Sequence, residues 1–224
     1  MAKAMTFADR QEAGKLLARK LLRFKDCAPI VLALPRGGVA VGFEIARALA
    51  APLDLVLVQK LGAPDQPELA IGALADGANP ELVTDPDLIG QLAVPPALLE
   101  QIMARAREEI ARRQTLYRSN RPPAVVTNRT AILVDDGIAT GATMRAALHA
   151  TRRHAPRRLV LAVPVAPSDT IRRLGQEADE IVCLLRPHMF TAVGRFYHRF
   201  PQLDDQEVLD LLAKARGFAT RASS

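Results

Sequence analysis

Apolar residues along this chain fall into two alternating rhythms. Over residues 8–24 they recur at helical spacing, at Ala13, Leu16, Leu17, Leu21 and Phe24, with charges between them. PIVLAL (29–34) follows as a short, wholly apolar run, the pattern of a strand buried on both faces. VAVGFEIARALA then reads as a helix, LDLVLV (53–58) as a second strand and LAIGALA (69–75) as a third. The longest helical pattern, PPALLEQIMARAREEIARRQTLYR (95–118), opens on proline, which the first helical turn accepts. TAILVDD (130–136) predicts a strand, ATMRAALHATRRH a helix, RRLVLAVPV (157–165) a strand and DTIRRLGQEA a helix. DEIVCLL (179–185) predicts a last strand and DDQEVLDLLAKA a closing helix, with TRASS frayed at the end. Strands joined through helices require right-handed crossovers, so the pattern predicts an α/β fold with a mostly parallel central sheet flanked by helices.

Composition narrows what such a fold does. Apolar residues make up 49% and charged residues 24%, which excludes a disordered chain. No apolar run approaches the ~20 residues that cross a bilayer. The amino terminus carries Asp9, Arg10, Glu12 and Lys15, so it does not read as a signal peptide. Cys27 and Cys183 have neither metal-ligand spacing nor the density of a secreted disulfide framework, and a cytoplasmic location is expected. The net charge of +6 fits either a nucleic-acid surface or a heavily phosphorylated small ligand. The basic residues are spread along the chain, and two tyrosines with no tryptophan offer little surface for base stacking. Nucleic acid and membrane are therefore not the expected partners.

In an open parallel sheet, ligands bind at the carboxyl ends of the strands. Three unusual stretches fall there: LPRGG (34–38), QKLGAPDQPEL (59–69) and VDDGIATGAT (134–143). The last ends where a helix is predicted to start, a place where unpaired amides and the helix dipole favour a phosphate. Gly137 and Gly141 let the backbone approach closely, and Thr140 and Thr143 add hydroxyl donors. The stretch lacks the G-K-[ST] of an ATP-type P-loop and contains no G-x-G-x-x-G. Asp135 and Asp136 would repel a phosphate but can accept hydrogen bonds from sugar hydroxyls. A ribose 5-phosphate lying across the turn satisfies both halves.

VDDGIATGAT resembles the signature by which type I phosphoribosyltransferases hold 5-phosphoribosyl 1-diphosphate (PRPP). LPRGG is similar to that family's pyrophosphate loop, and QKLGAPDQPELAIGAL to its flexible loop, with Lys60 at the base. From FADRQEAG to AVGRFYHRF the segment order resembles a branch known mostly as predicted phosphoribosyltransferases. The resemblance implies a single domain over 1–224, with a core at about 28–185. A small hood would come from about 1–27 and 186–204, followed by a C-terminal helix at 205–215. It also implies transfer of the phosphoribosyl group from PRPP to a nitrogenous acceptor, such as a nucleobase, with release of pyrophosphate. Magnesium would ride on the substrate, with no direct protein ligand beyond Asp135 and Asp136. By the same resemblance Asp135 and Asp136 hold the ribose hydroxyls, and Gly137 with Ala139, Thr140, Gly141, Ala142 and Thr143 wraps the 5-phosphate. Arg36, Gly37 and Gly38 meet the diphosphate, with Arg36 and Lys60 stabilising the leaving group. A homodimer is the family's usual state.

One position departs from part of the family. Hypoxanthine–guanine enzymes carry an aspartate where this chain has Ala139, as adenine and orotate enzymes do, so a general base must come from elsewhere; Glu68 is a candidate. In the hood segment Phe196, Tyr197 and Phe200 either stack on the acceptor or close a core, while His188 and His198 read as structural. The 95–118 helix covers the site, mediates dimerisation or simply packs. A second reading of the whole is a non-catalytic PRPP sensor that acts on nucleic acid, though no helix-turn-helix is visible.

Overall fold

The computed structural model describes residues 6–76, 81–118 and 122–218. Its first half runs α1 (Arg10–Leu21), β1 (Pro29–Ala33), α2 (Gly37–Leu49) and β2 (Leu53–Leu55). Then come β3 (Val58–Ala63), β4 (Gln66–Ala75), β5 (Glu81–Thr84), α3 (Pro86–Gln91) and α4 (Pro96–Arg118). The second half is β6 (Thr130–Val134), α5 (Ala142–Arg153), β7 (Arg158–Val165), α6 (Ser168–Leu174), β8 (Glu180–Leu185) and α7 (Asp205–Ala215). A 3-10 turn follows α1, and another spans Val193–Phe196.

Among the described residues five parallel strands make the central sheet, in the order β2-β1-β6-β7-β8. The wholly apolar runs are explained by burial on both faces. Leu133 of β6 packs with Leu32, Leu161, Met144 and Leu148 on the α5 side, whereas Ile132 and Val134 meet Leu17, Leu21, Ile45 and Leu49 under α1 and α2. Successive side chains of one strand thus feed two cores.

A second, antiparallel sheet in the order β3-β4-β5 departs from the sequence expectation. The predicted strand 53–58 breaks after Leu55: β2 stays on the parallel sheet and β3 begins at Val58. The predicted strand 69–75 is the end of β4, which starts at Gln66 and folds back on β3. Ala63 pairs with Gln66, leaving two residues for the turn. A parallel return needs a crossover of a dozen or more residues, so the hairpin must be antiparallel. One of its faces carries Leu61, Ile71 and Leu74 onto Met103, Ala106 and Ile110 of α4. The long helix therefore packs across this small sheet. The other face turns Val58 and Ala73 toward the α5 core.

Helices α1 and α2 cross at Gly14. A Cβ there would stand 2.8 Å from the Val41 carbonyl oxygen and 2.9 Å from Glu44 Cβ, distances that side chains essentially never adopt. Glu44, buried beside this crossing, is bound by Gln11 and Arg47. The contact matters for function because α2 starts at the Arg36 turn and α1 carries Arg10 beside it. Gly14→Val should lower folding stability by ~1–3 kcal/mol in urea unfolding, the cost of overpacking a filled contact. An unchanged midpoint would show that the helices are free to separate there.

Candidate active site

The site forms where two neighbouring strands end. Ala33 of β1 is in register with Val134 of β6, and the Leu34 amide donates to the Val134 carbonyl at 2.9 Å. The turns that follow emerge side by side. A Cβ on Gly37 would lie 1.9 Å from Asp136 Oδ2, and one on Gly38 would lie 2.7 Å from the Val134 carbonyl oxygen. Both glycines are thus required for the two turns to touch, and the Asp136 carboxylate rests against the Gly37 backbone. The Pro35–Arg36 peptide is cis.

Asp135 turns back on its own loop, its Oδ1 accepting the Asp136 amide at 2.8 Å. Asp136 Oδ2 accepts from Arg10 Nε at 2.7 Å, and its carbonyl accepts from the Tyr197 hydroxyl at 2.5 Å. Arg10 also donates to the Pro201 carbonyl at 2.6 Å and lies 3.7 Å above the Phe200 ring. Sequence reasoning missed Arg10. A helix-face arginine carries no local signal, and its partner lies 126 residues away. Burial pushes the Asp135 carboxyl well above the usual range, with the Asp136 charge adding to it. Asp136 is also raised by burial, against the pull of Arg10.

The turn after the acids is fixed by small residues. A Cβ on Gly137 would meet Val193 at 2.5 Å, and Gly141 caps α5 with φ +87°, a conformation glycine adopts without strain. The Thr170 hydroxyl pins the Ala139 carbonyl at 2.8 Å. Ala139 and Thr140 are exposed, and the first amides of α5 have no partner within the helix. A cavity of about 160 Å³ opens here, lined by Thr140, Gly141, Ala142, Arg145 and Arg173, with Asp85, whose carboxylate caps α3 through the Leu88 amide, on its β5 side. The two arginines, which the sequence places on ordinary helix faces, add cationic charge beside those amides.

Lys60 pairs in register with Ala73, so both point from the same hairpin face, the one toward the α5 core; Ala73 also borders the turn cavity. The Glu68 side chain lies outside the described residues. Tyr197 is buried with its ring on Phe7 and Phe200, and Phe196 stacks on Phe190 at 5.6 Å. Tyr197 is stacked on Phe200, while Phe7 is tilted 46° to it, so these rings are engaged with one another.

Beside the Arg36 turn lies a cavity of about 400 Å³, walled by Arg10, Arg36, Arg112, Arg113, Tyr117 and Asp205. The carboxyl-terminal half of α4 supplies the arginine pair and Tyr117, and α7 supplies Asp205. A capping box between Asp204 and Glu207 fixes the start of α7. The Tyr117 hydroxyl donates to Asp205 at 2.5 Å, and Arg36 Nη1 stands 3.8 Å from the same carboxylate. Burial, then the Asp205 contact, pushes the Tyr117 phenol up to about 12.

The raised carboxyl of Asp135 has a consequence for stability. The unfolded group ionises near its ordinary value, whereas the folded group resists ionisation. Stability is therefore lost as pH rises from about 4 through the folded pKa. Asp135→Asn keeps an acceptor for the Asp136 amide and removes the buried charge. Its melting temperature should exceed that of the wild type at pH 7, with the difference shrinking toward pH 4. A variant less stable than wild type at pH 7 would contradict this.

Comparison with known proteins agrees with the geometry. Two curated proteins of Mycobacterium tuberculosis (strains H37Rv and CDC 1551), each named "Putative phosphoribosyl transferase", are 44% identical over 215 residues. The alignment covers 95% of this chain and 48% of theirs, so the chain spans about half the length of these relatives. The crystal structure of TT1426 from Thermus thermophilus superposes with a TM-score of 0.80 and 44% identity, over 94% of this chain and 99% of that one. Residues 8–200 match the phosphoribosyl transferase domain family, and the chain belongs to that family.

Proposed function

We propose that the chain binds PRPP and transfers its 5-phosphoribosyl group to a nitrogenous acceptor, a base-like molecule, releasing pyrophosphate. The observation that carries this reading is the contact between the two strand-end turns. The paired acids of one turn lie against the glycines of the other, with an amide-rich, arginine-flanked turn immediately after. Asp135 and Asp136 accept the ribose hydroxyls, and residues 139–143 with Gly137 enclose the 5-phosphate. The Gly37 and Gly38 backbone and Arg36 face the diphosphate. Placing the ribose on Asp136 requires its hydroxyls to share or replace the Arg10 contact.

In the reaction the acceptor nitrogen's lone pair forms a bond to the anomeric carbon as the carbon–oxygen bond to diphosphate breaks. The electron pair leaves with the pyrophosphate, and the proton displaced from nitrogen passes to a base, for which Glu68 is the candidate in this chain. Arg36 and Lys60 stabilise the charge gathering on the leaving oxygens, an electrostatic contribution largest in the transition state. Magnesium would ride on the substrate in this reading. Among the described residues no group of three or more His, Cys, Asp and Glu side chains converges to hold one. Asp135 and Asp136 would support it together with the substrate's oxygens, and bound there it neutralises diphosphate charge. A homodimer and a cytoplasmic setting complete the reading; the free Cys27 and Cys183 suit a reducing compartment.

The test is pyrophosphate release from magnesium–PRPP across purine, pyrimidine and pyridine bases. Release with one acceptor is expected, and Arg36→Ala should lower kcat by about a hundredfold or more. PRPP binding without release from any acceptor would replace transfer with PRPP sensing.

A further inference from the structure

The cavity beside the Arg36 turn has the wrong lining for a neutral ring. Resting on the proposed transferase reading, we propose that Arg112 and Arg113 of α4 form an oxyanion subsite, so that the acceptor carries an acidic group. Three observations support it. At about 400 Å³ the cavity lies within the range that encloses small-molecule ligands, and Gln202 and Leu203 line it together with the α4 residues. Its aromatic partner, Tyr117, is buried and hydrogen-bonded to Asp205, while Tyr197, Phe196 and Phe200 are engaged in their own cluster. No stacking platform faces the cavity among its lining residues.

The charge arrangement is the third observation. Glu109 holds both arginines from behind: Arg112 through Nε at 2.8 Å and Nη2 at 2.9 Å, and Arg113 through Nε at 2.7 Å. With Asp205 set against Arg36 and Asp136 against Arg10, the single Glu109 carboxylate between two guanidinium groups leaves one positive charge in excess. Among the described residues, Nη1 of Arg112 and both terminal nitrogens of Arg113 are not taken up by another side chain and can donate to a ligand. Arg113, 30% exposed, is partly screened from bulk water, whereas Arg112, 59% exposed, stands at the cavity's open rim. The Arg112 hydrogen bonds hold the Glu109 carboxyl at about 2, so the brace persists across the working pH range. Fork-shaped guanidinium donors suit planar or tetrahedral oxyanions, which they bind through two parallel hydrogen bonds. The shared chemistry is an oxyanion, which either an acidic acceptor or the diphosphate itself could supply.

Equilibrium binding of inorganic phosphate separates these sources. With the chain saturated in magnesium–PRPP, one further phosphate is expected to bind. Arg112→Gln/Arg113→Gln should weaken that phosphate about tenfold or more while leaving PRPP affinity unchanged. An absent second phosphate, or one that binds the double variant equally well, overturns the subsite. A double variant that loses PRPP affinity overturns the acceptor assignment and gives the arginines to the diphosphate. Should the chain bind no PRPP, the transferase reading fails by itself. Phosphate titration of the free protein then still judges the arginine pair, which predicts weaker binding by the double variant.

Discussion

Everything at this site depends on two parallel strands lying side by side. Pairing β1 with β6 in register brings their carboxyl ends to one level, so the Arg36 turn and the Asp135–Asp136 turn emerge in contact. Only glycine at 37 and 38 permits that contact, because any side chain would collide with the Asp136 carboxylate or the Val134 carbonyl. The sheet is held by cores on both faces, which gives the turns a rigid base. Binding groups can then be mostly backbone and short side chains, with little conformational freedom to lose when a ligand binds.

That contact carries an electrostatic cost. Two adjacent carboxylates are partly enclosed at a strand end, and burial makes both resist ionisation. Arg10, reaching over from α1, supplies the compensating charge and ties the amino-terminal helix and the Phe200 segment to the acids. A substrate with hydroxyl donors can take over part of that role. Charge stored at a site, and relieved by the ligand that fits it, is a common arrangement in binding pockets.

Much of this was legible in the sequence. Fully apolar runs identified β1, β6 and β7, because burial on both faces removes the need for alternation. VDDGIATGAT and LPRGG stood out because paired acids and several glycines at neighbouring strand ends exceed what a plain turn needs, and the structure brings these two turns into contact. The antiparallel sheet was harder to read. Its strands are apolar enough to resemble parallel ones, and only the two-residue turn between Ala63 and Gln66 decides their direction. Arg10, Arg145 and Arg173 were invisible among the 30 lysines and arginines, because their significance arises from distant partners. The same holds for α4: its period showed a helix, but not that its end would bring Arg112 and Arg113 beside Arg36.

If the two turns form one site, they must act together on one ligand. Calorimetric titration with magnesium–PRPP, ribose 5-phosphate and pyrophosphate, on the wild type and on Gly37→Ala, tests it most directly. PRPP should bind more tightly than either half, and the single added methyl group, which displaces the Asp136 carboxylate, should abolish that advantage. PRPP binding no tighter than its halves, or binding unchanged in Gly37→Ala, would contradict the account.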